Sequence, residues 1–242
     1  RRRVGYVRYG RGPLLTDRLR PKRDGRRLVT TPMVLNYLAL AEAVGCPPEA
    51  PRLELATTPE DERSAEGVWA RLGLPDDGRV VMLNCSGVHG AAKLWPIEYF
   101  ARLAQRVVEE LDHDVLVMCG PAECDIARQI VTQSDRPRVF SMADQPLGLG
   151  TAKACIRRGA VMVSTDSGPK HVAAAMGRPL VGLHGPFLPA NSYNPTQRAE
   201  RLLVDLDCVG CGKRVCPLGH HRCMRDLSVE TVFAAVRRLL DG

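Results

Sequence analysis

From residue 79 onward, short apolar runs alternate with longer stretches in which apolar residues recur every three or four positions. Arg79 to Asn84 reads as a buried strand ending at Cys85-Ser86-Gly87, and Val115 to Cys119 as the next, closed by Gly120-Pro121. Arg138 to Phe140 is extended, and Val161 to Ser164 and Leu180 to Leu183 are two further strands. Between them Pro96 to Leu111 sets Phe100, Leu103, Val107 and Leu111 at helical spacing, as do residues 123 to 133 and Gly150 to Arg158. Strand followed by helix, four times over, predicts an α/β fold with a doubly wound parallel sheet and its sites at the strand carboxyl ends. Upstream, Thr57-Thr58-Pro59-Glu60 opens a helix to Leu72, and 73–78 is rich in turn residues. The residues before about 72 make no complete α/β unit, and no internal repeat is visible. The last helix, Val229 to Leu240, carries one apolar stripe of Val232, Phe233, Val236, Leu239 and Leu240 that must cover something.

The stretch from Val161 to Pro186 carries the most chemistry. A strand runs into Asp166-Ser167-Gly168-Pro169, turn residues that also start helices, with Asp or Ser as the cap oxygen and Pro at the first helical position. Lys170 to Met176 follow as a small-residue helix that Gly177 ends. The first amides of such a helix have no partner within it, so with the hydroxyls and His171 they form a site suited to phosphate. The plainer alternative is a strand-turn-helix in which Asp166 only caps and His171 is a surface histidine.

Charge and cysteine content narrow the picture. Within residues 1–30 ten arginines and one lysine stand against Asp17 and Asp24, so the net charge of +7 leaves the remainder at −2. So local a basic block attracts polyanions: an anionic membrane surface, a phosphorylated glycolipid or a nucleic acid, the last disfavoured because no nucleic-acid motif or interleaved aromatics accompany it. No apolar run approaches the roughly 18 residues of a membrane span, and the opening Arg-Arg-Arg-Val does not read as a signal peptide. Nine cysteines then point to a reducing compartment. Five of them lie scattered among apolar residues, whereas Cys208, Cys211, Cys216 and Cys223 are grouped beside His220 and His221 in a Gly- and Pro-rich loop. That group suits a structural zinc, a disulfide or redox pair, or loop packing without a ligand.

The string Ser164-Thr165-Asp166-Ser167-Gly168-Pro169-Lys170-His171-Val172-Ala173-Ala174-Ala175 resembles the donor-site signature of glycosyltransferase family nine, the bacterial ADP-heptose:lipopolysaccharide heptosyltransferases. Lys93-Leu94-Trp95-Pro96 before a helix is similar to the family's Lys-x-Trp-Pro segment, and Gly120-Pro121-Ala122-Glu123 to its Gly-x-x-Glu turn. The segment from Cys208 to Cys223 resembles the heptosyltransferase II subgroup, and Arg3-Val4-Gly5-Tyr6 with Leu14-Leu15-Thr16 resembles a segment late in the family's first domain.

The resemblance implies a GT-B fold of two Rossmann-like halves. Residues 1–72 would be the tail of the N-terminal acceptor-binding domain and a linker, and 73–228 the C-terminal sugar-nucleotide domain with its Cys-rich loop 208–223. Residues 229–242 would be a terminal helix that crosses back toward the first domain. It further implies inverting, metal-independent transfer of heptose from an ADP-sugar donor to the lipopolysaccharide inner core, in the cytoplasm at the inner face of the inner membrane. No cofactor is required on that reading, and the general base has no counterpart in these residues. Lys93 would stabilise the departing diphosphate together with His171. Ser86, Gly87, Asp166, Ser167 and Gly168 would offer hydroxyl and backbone donors, Glu123 would accept from ribose or adenine, and Leu147 would pack on the base. The alternatives are another GT-B sugar-nucleotide transferase or epimerase, and a noncatalytic zinc-linked binding module.

Overall fold

The computed structural model describes residues 1–25, 27–85 and 90–242. The chain divides into two compact units, Arg1–Arg52 with Pro189–Thr196, and Leu53–Leu188 with Gln197–Gly242. In the first, β1 (Val4–Tyr6) pairs in parallel with β2 (Asp17–Leu19), and β3 (Arg23–Asp24) pairs antiparallel with β4 (Arg27–Leu28). The helix α1 (Met33–Ala43) buries none of its residues. So few short elements cannot enclose a core, and Tyr9, Leu14, Tyr37 and Val44 stay exposed.

The second unit opens with α2 (Pro59–Leu72), started by a reciprocal cap in which Thr58 and Asp61 bond each other's backbone amides and ended by Gly73 in the left-handed conformation. There follow β5 (Val80–Asn84), α3 (Ile97–Leu111), β6 (Asp114–Met118), α4 (Cys124–Ser134), β7 (Val139–Ser141), α5 (Leu149–Arg158), β8 (Val161–Thr165), α6 (Gly168–Ala175) and β9 (Leu180–His184). After α7 (Pro189–Ser192), which belongs to the first unit, come β10 (Ala199–Leu203), α8 (Arg222–Arg225) and α9 (Val229–Asp241).

The six strands lie in the order β10-β9-β8-β5-β6-β7, every pair parallel. The chain winds outward from β5 to β7 in one direction and from β8 to β10 in the other, which places the switch point between β5 and β8. Alternate residues of each strand enter different layers. Val81, Leu83, Val115, Val117 and Val163 meet α3, α4 and α9 through Phe100, Leu103, Ile130 and Phe233. Val80, Met82, Leu116 and Met162 meet α2 and α5 through Val68, Trp69 and Ile156. Both faces of the central strands are therefore covered, which is why they read as unbroken apolar runs.

Two outcomes differ from the sequence reading. The stripe on α9 lies in this unit's own core, with Val232, Phe233, Val236 and Leu239 buried beside α3 and the sheet, so the helix needs no first domain to cover it. The edge strand β10 has no apolar-run signal, because Glu200 and Arg201 interrupt it and only one side of the strand is paired.

Candidate functional site

The carboxyl ends of β5 and β8 come together at the switch point, and buried polar side chains tie them. Asn84, the last residue of β5, is 1% exposed and donates from Nδ2 to Ser164 Oγ at 3.0 Å and to Ser167 Oγ at 2.8 Å. Ser167 is the N-cap of α6, yet its side chain makes no capping bond: it accepts from Asn84 and donates to the Thr165 carbonyl at 3.3 Å. The expected serine cap is therefore absent, because the hydroxyl is already committed to the strand ends. The amides of the first turn of α6 gain nothing from that hydroxyl and remain suited to an incoming anion.

Lys93 reaches the same place from a 3₁₀ turn, Ala91–Lys93. Its Nζ donates to the Asp166 carbonyl at 2.6 Å, lies 3.5 Å from Asp166 Oδ2 and stands 4.3 Å from the Phe187 ring centre. Asp166 Oδ1 in turn accepts from the ammonium of Lys170, one turn along. The Trp95-Pro96 context explains this placement mechanically. Trp95 is 1% exposed, donates from Nε1 to the Leu227 carbonyl at 2.9 Å, and packs edge-on against Tyr99 and Phe100. It anchors the chain leaving Lys93, while Pro96 precedes α3 as its N-cap.

The electrostatics are one-sided. His171 keeps an exposed face on α6, and partial desolvation of its ring, then the Lys170 ammonium, hold its pKa below the ordinary imidazole value. At the end of β9, His184 is 2% exposed, and its Nδ1 has no hydrogen-bond partner among the described residues. Burial, then the nearby Lys170, push its pKa down to about 4, so this ring is neutral near pH 7. Sequence reasoning passed over Asn84, Lys170 and His184 as site residues; a polar residue at the carboxyl end of a buried strand is the signal that would have found Asn84 and His184, while Lys170 lies in the first turn of α6.

The other expected residues fall nearby in sequence order but not all at this point. Glu123 ends the 3₁₀ turn after β6, is mostly buried, and accepts from the Gly120 amide at 3.1 Å. Leu147, in the loop after β7, is half-buried against the α2–α5 side of the core. Ser86 and Gly87 lie outside the described residues.

The model of glycosyltransferase family 9 (heptosyltransferase) matches residues 2–221. The chain belongs to this family. It is 30% identical over 170 residues to lipooligosaccharide heptosyltransferase 2 of Campylobacter jejuni, a match covering 67% of the chain and 51% of that relative. A family 9 glycosyltransferase from Veillonella parvula superposes with a TM-score of 0.75 at 24% identity, covering 95% of this chain and 64% of that one. For Escherichia coli ADP-heptose lps heptosyltransferase II the TM-score is 0.69 at 23% identity, with 99% and 70% covered. These likenesses establish the GT-B type of α/β fold, and the chain spans about half the length of the first curated relatives it matches.

In this family 9 chain the Cys-rich loop braces the Lys93 turn. The Ala92 amide donates to the Arg214 carbonyl at 3.0 Å, and His221 Nε2–H donates to the Ala92 carbonyl at 2.7 Å. Gly90 makes this approach possible: a Cβ there would lie 2.4 Å from the Arg214 oxygen, and its φ of +133° disfavours any side chain. Cys208, Cys211, Cys216 and Cys223 line a hollow of about 30 Å³ with His220 and His221. Among the described residues, however, no three His, Cys, Asp or Glu side chains are arranged to hold a metal ion, so the zinc expectation gains no support. Three of these groups are otherwise employed. Backbone amides, that of His221 foremost, lower the Cys216 pKa, His221 holds Ala92, and Cys223 is packed in the core. The nine cysteines form no disulfide among the described residues.

Proposed function

We propose that this chain is the donor-binding part of a heptosyltransferase, taking ADP-heptose at the carboxyl ends of β5, β6 and β8. The observation that carries the reading is the Lys93 ammonium, held by the Asp166 carbonyl and carboxylate beside the first turn of α6 at the switch point of the sheet. ADP-heptose is the donor named for the Escherichia coli relative. Breaking the glycosidic bond leaves negative charge on the ADP diphosphate, and preorganised cations and N–H groups lower that barrier. Lys93, the Gly168 end of α6 and His171 would supply them, with Ser86, Gly87, Asp166 and Ser167 lining the phosphates. Glu123 would face the ribose or adenine, and Leu147 the base.

The reaction proposed is a single displacement with inversion and without a metal ion. An acceptor hydroxyl oxygen bonds to the anomeric carbon while the bond to the β-phosphate oxygen breaks, its electron pair leaving with ADP. The hydroxyl proton passes to a general base other than the donor-site residues named above. The acceptor would be the lipopolysaccharide inner core, met at an anionic membrane surface. In support, the first unit holds a cavity of about 510 Å³ lined by Arg8, Arg11, Lys22, Tyr9 and Tyr37, a mixture suited to a phosphorylated glycan. No helix among the described residues is long and apolar enough to cross a membrane.

Calorimetric titration with ADP, UDP and GDP in metal-free buffer tests the reading. The expected result is ADP-selective binding that a Lys93→Ala/His171→Ala variant weakens by about a hundredfold, the scale of two lost charged contacts. A folded wild-type chain that binds no nucleotide overturns it.

A further inference from the structure

Lys170 is an unlikely choice of residue for its position. It lies in the first turn of α6, where the helix dipole disfavours a cation, and it is 3% exposed. Burial lowers its pKa, opposed by Asp166, while Lys93 and Arg201 lower it further. A buried ammonium costs more than a well-packed apolar side chain in the same volume, so stability does not account for it. What it does have is geometry: it holds Asp166 Oδ1, while Lys93 lies 3.5 Å from Oδ2 of the same carboxylate.

Resting on the donor-site reading above, we propose that Lys170 is a positioning residue that shares the Asp166 carboxylate with Lys93 and so keeps the Lys93 charge available to a nucleoside diphosphate. One carboxylate cannot neutralise two ammonium groups. With Lys170 on one oxygen, Lys93 is oriented by Asp166 without being fully paired, and the surplus charge is what the diphosphate meets. Without Lys170 the carboxylate collapses onto Lys93 and competes with the ligand.

The test is a double-mutant cycle read by ADP titration of the whole chain, with thermal melts to confirm folding. Lys170→Met is expected to weaken ADP binding about tenfold or more, the scale of one charged contact, and Lys170→Arg, which keeps the charge, to retain most of it. In an Asp166→Asn background the same Lys170→Met change is expected to alter affinity by no more than about twofold, since the carboxylate it restrains is gone. If Lys170→Met alone does not fold, Lys170→Arg and the pair Asp166→Asn and Asp166→Asn/Lys170→Met carry the decision. Equal losses in both backgrounds, or wild-type affinity in Lys170→Met, overturn the proposal while leaving the donor site intact. A wild-type chain that binds no ADP removes the donor reading and this proposal together.

Discussion

The two ends of the six-stranded sheet both gather charge, and they dispose of it in opposite ways. At the amino ends of β5, β6 and β7 the charges alternate in a linear chain with a carboxylate at each end: Asp77 pairs with Arg79, Arg79 with Asp112, Asp112 with Arg138 and Arg138 with Asp114. Each arginine there faces two carboxylates. At the carboxyl ends of β5, β8 and β9, Lys93 and Lys170 share Asp166, with His171 and His184 close by. A mostly exposed chain of ion pairs in which every arginine lies between two carboxylates ties strand ends together and offers an anion nothing; a cation surplus set in buried surroundings is a demand for an anion. The same sheet thus has a scaffold end and a chemical end, and the difference lies in the sign of the surplus charge and in its burial.

The sharpest way to expose that difference is pH. His184 titrates near 4 in the folded protein, against the ordinary 6.5 of an unfolded chain. Between those values the unfolded chain binds a proton that the folded one refuses, so stability is complete above about pH 6.5 and falls as the solution is acidified toward 4. The loss attributable to this one ring reaches about 3 kcal/mol at the acid end, to order of magnitude. Chemical denaturation across that range should therefore show a steep acid-side decline that His184→Leu flattens. A variant curve parallel to the wild type would mean that neither burial nor the nearby Lys170 holds the pKa of this ring down.

A smaller effect separates the Lys93 turn from the loop that braces it. His221→Ala removes the bond to the Ala92 carbonyl without touching Lys93, Asp166 or α6. ADP affinity should drop about threefold to tenfold, the cost of loosening one hydrogen-bonded support, while zinc or a chelator added to either protein changes nothing. A chelator-sensitive affinity would restore the metal centre that the arrangement of the thiols does not provide.

Legibility in the sequence follows the same division. Strands β5, β6, β8 and β9 are covered on both faces, so their apolar runs announce them, and α3, α4 and α5 keep one apolar face each. The turn from Asp166 to Gly168 was readable because Gly and Pro mark helix starts locally, and Lys93 because Lys93-Leu94-Trp95-Pro96 resembles the family's Lys-x-Trp-Pro segment. What was not readable depends on distance along the chain. Asn84 meets Ser167 across 83 positions, and His221 meets Ala92 across 129, so no local pattern records either contact. The helix α1 escaped notice because its apolar residues fall all round it and none is buried. The stripe on the terminal helix left its partner open for the converse reason: a stripe shows that a face is covered, and says nothing of which layer covers it.

The smallest effect belongs to the scaffold end. Asp112 is the hinge of its charge chain, accepting from Arg79 and Arg138, each at 2.7 Å, and it is largely exposed. Exposed ion pairs are screened and cost side-chain entropy, so Asp112→Ala should lower the melting temperature by no more than about 4 °C. Raising the salt should shrink even that difference, because the pairs it removes are the ones salt screens. Its ADP affinity should equal that of the wild type. That equality separates two views of the molecule. If charge anywhere on the sheet tuned the nucleotide through the long-range field, removing one negative charge would tighten ADP binding measurably. If recognition is confined to the cation surplus at the carboxyl ends, Asp112→Ala leaves the titration curve where it was.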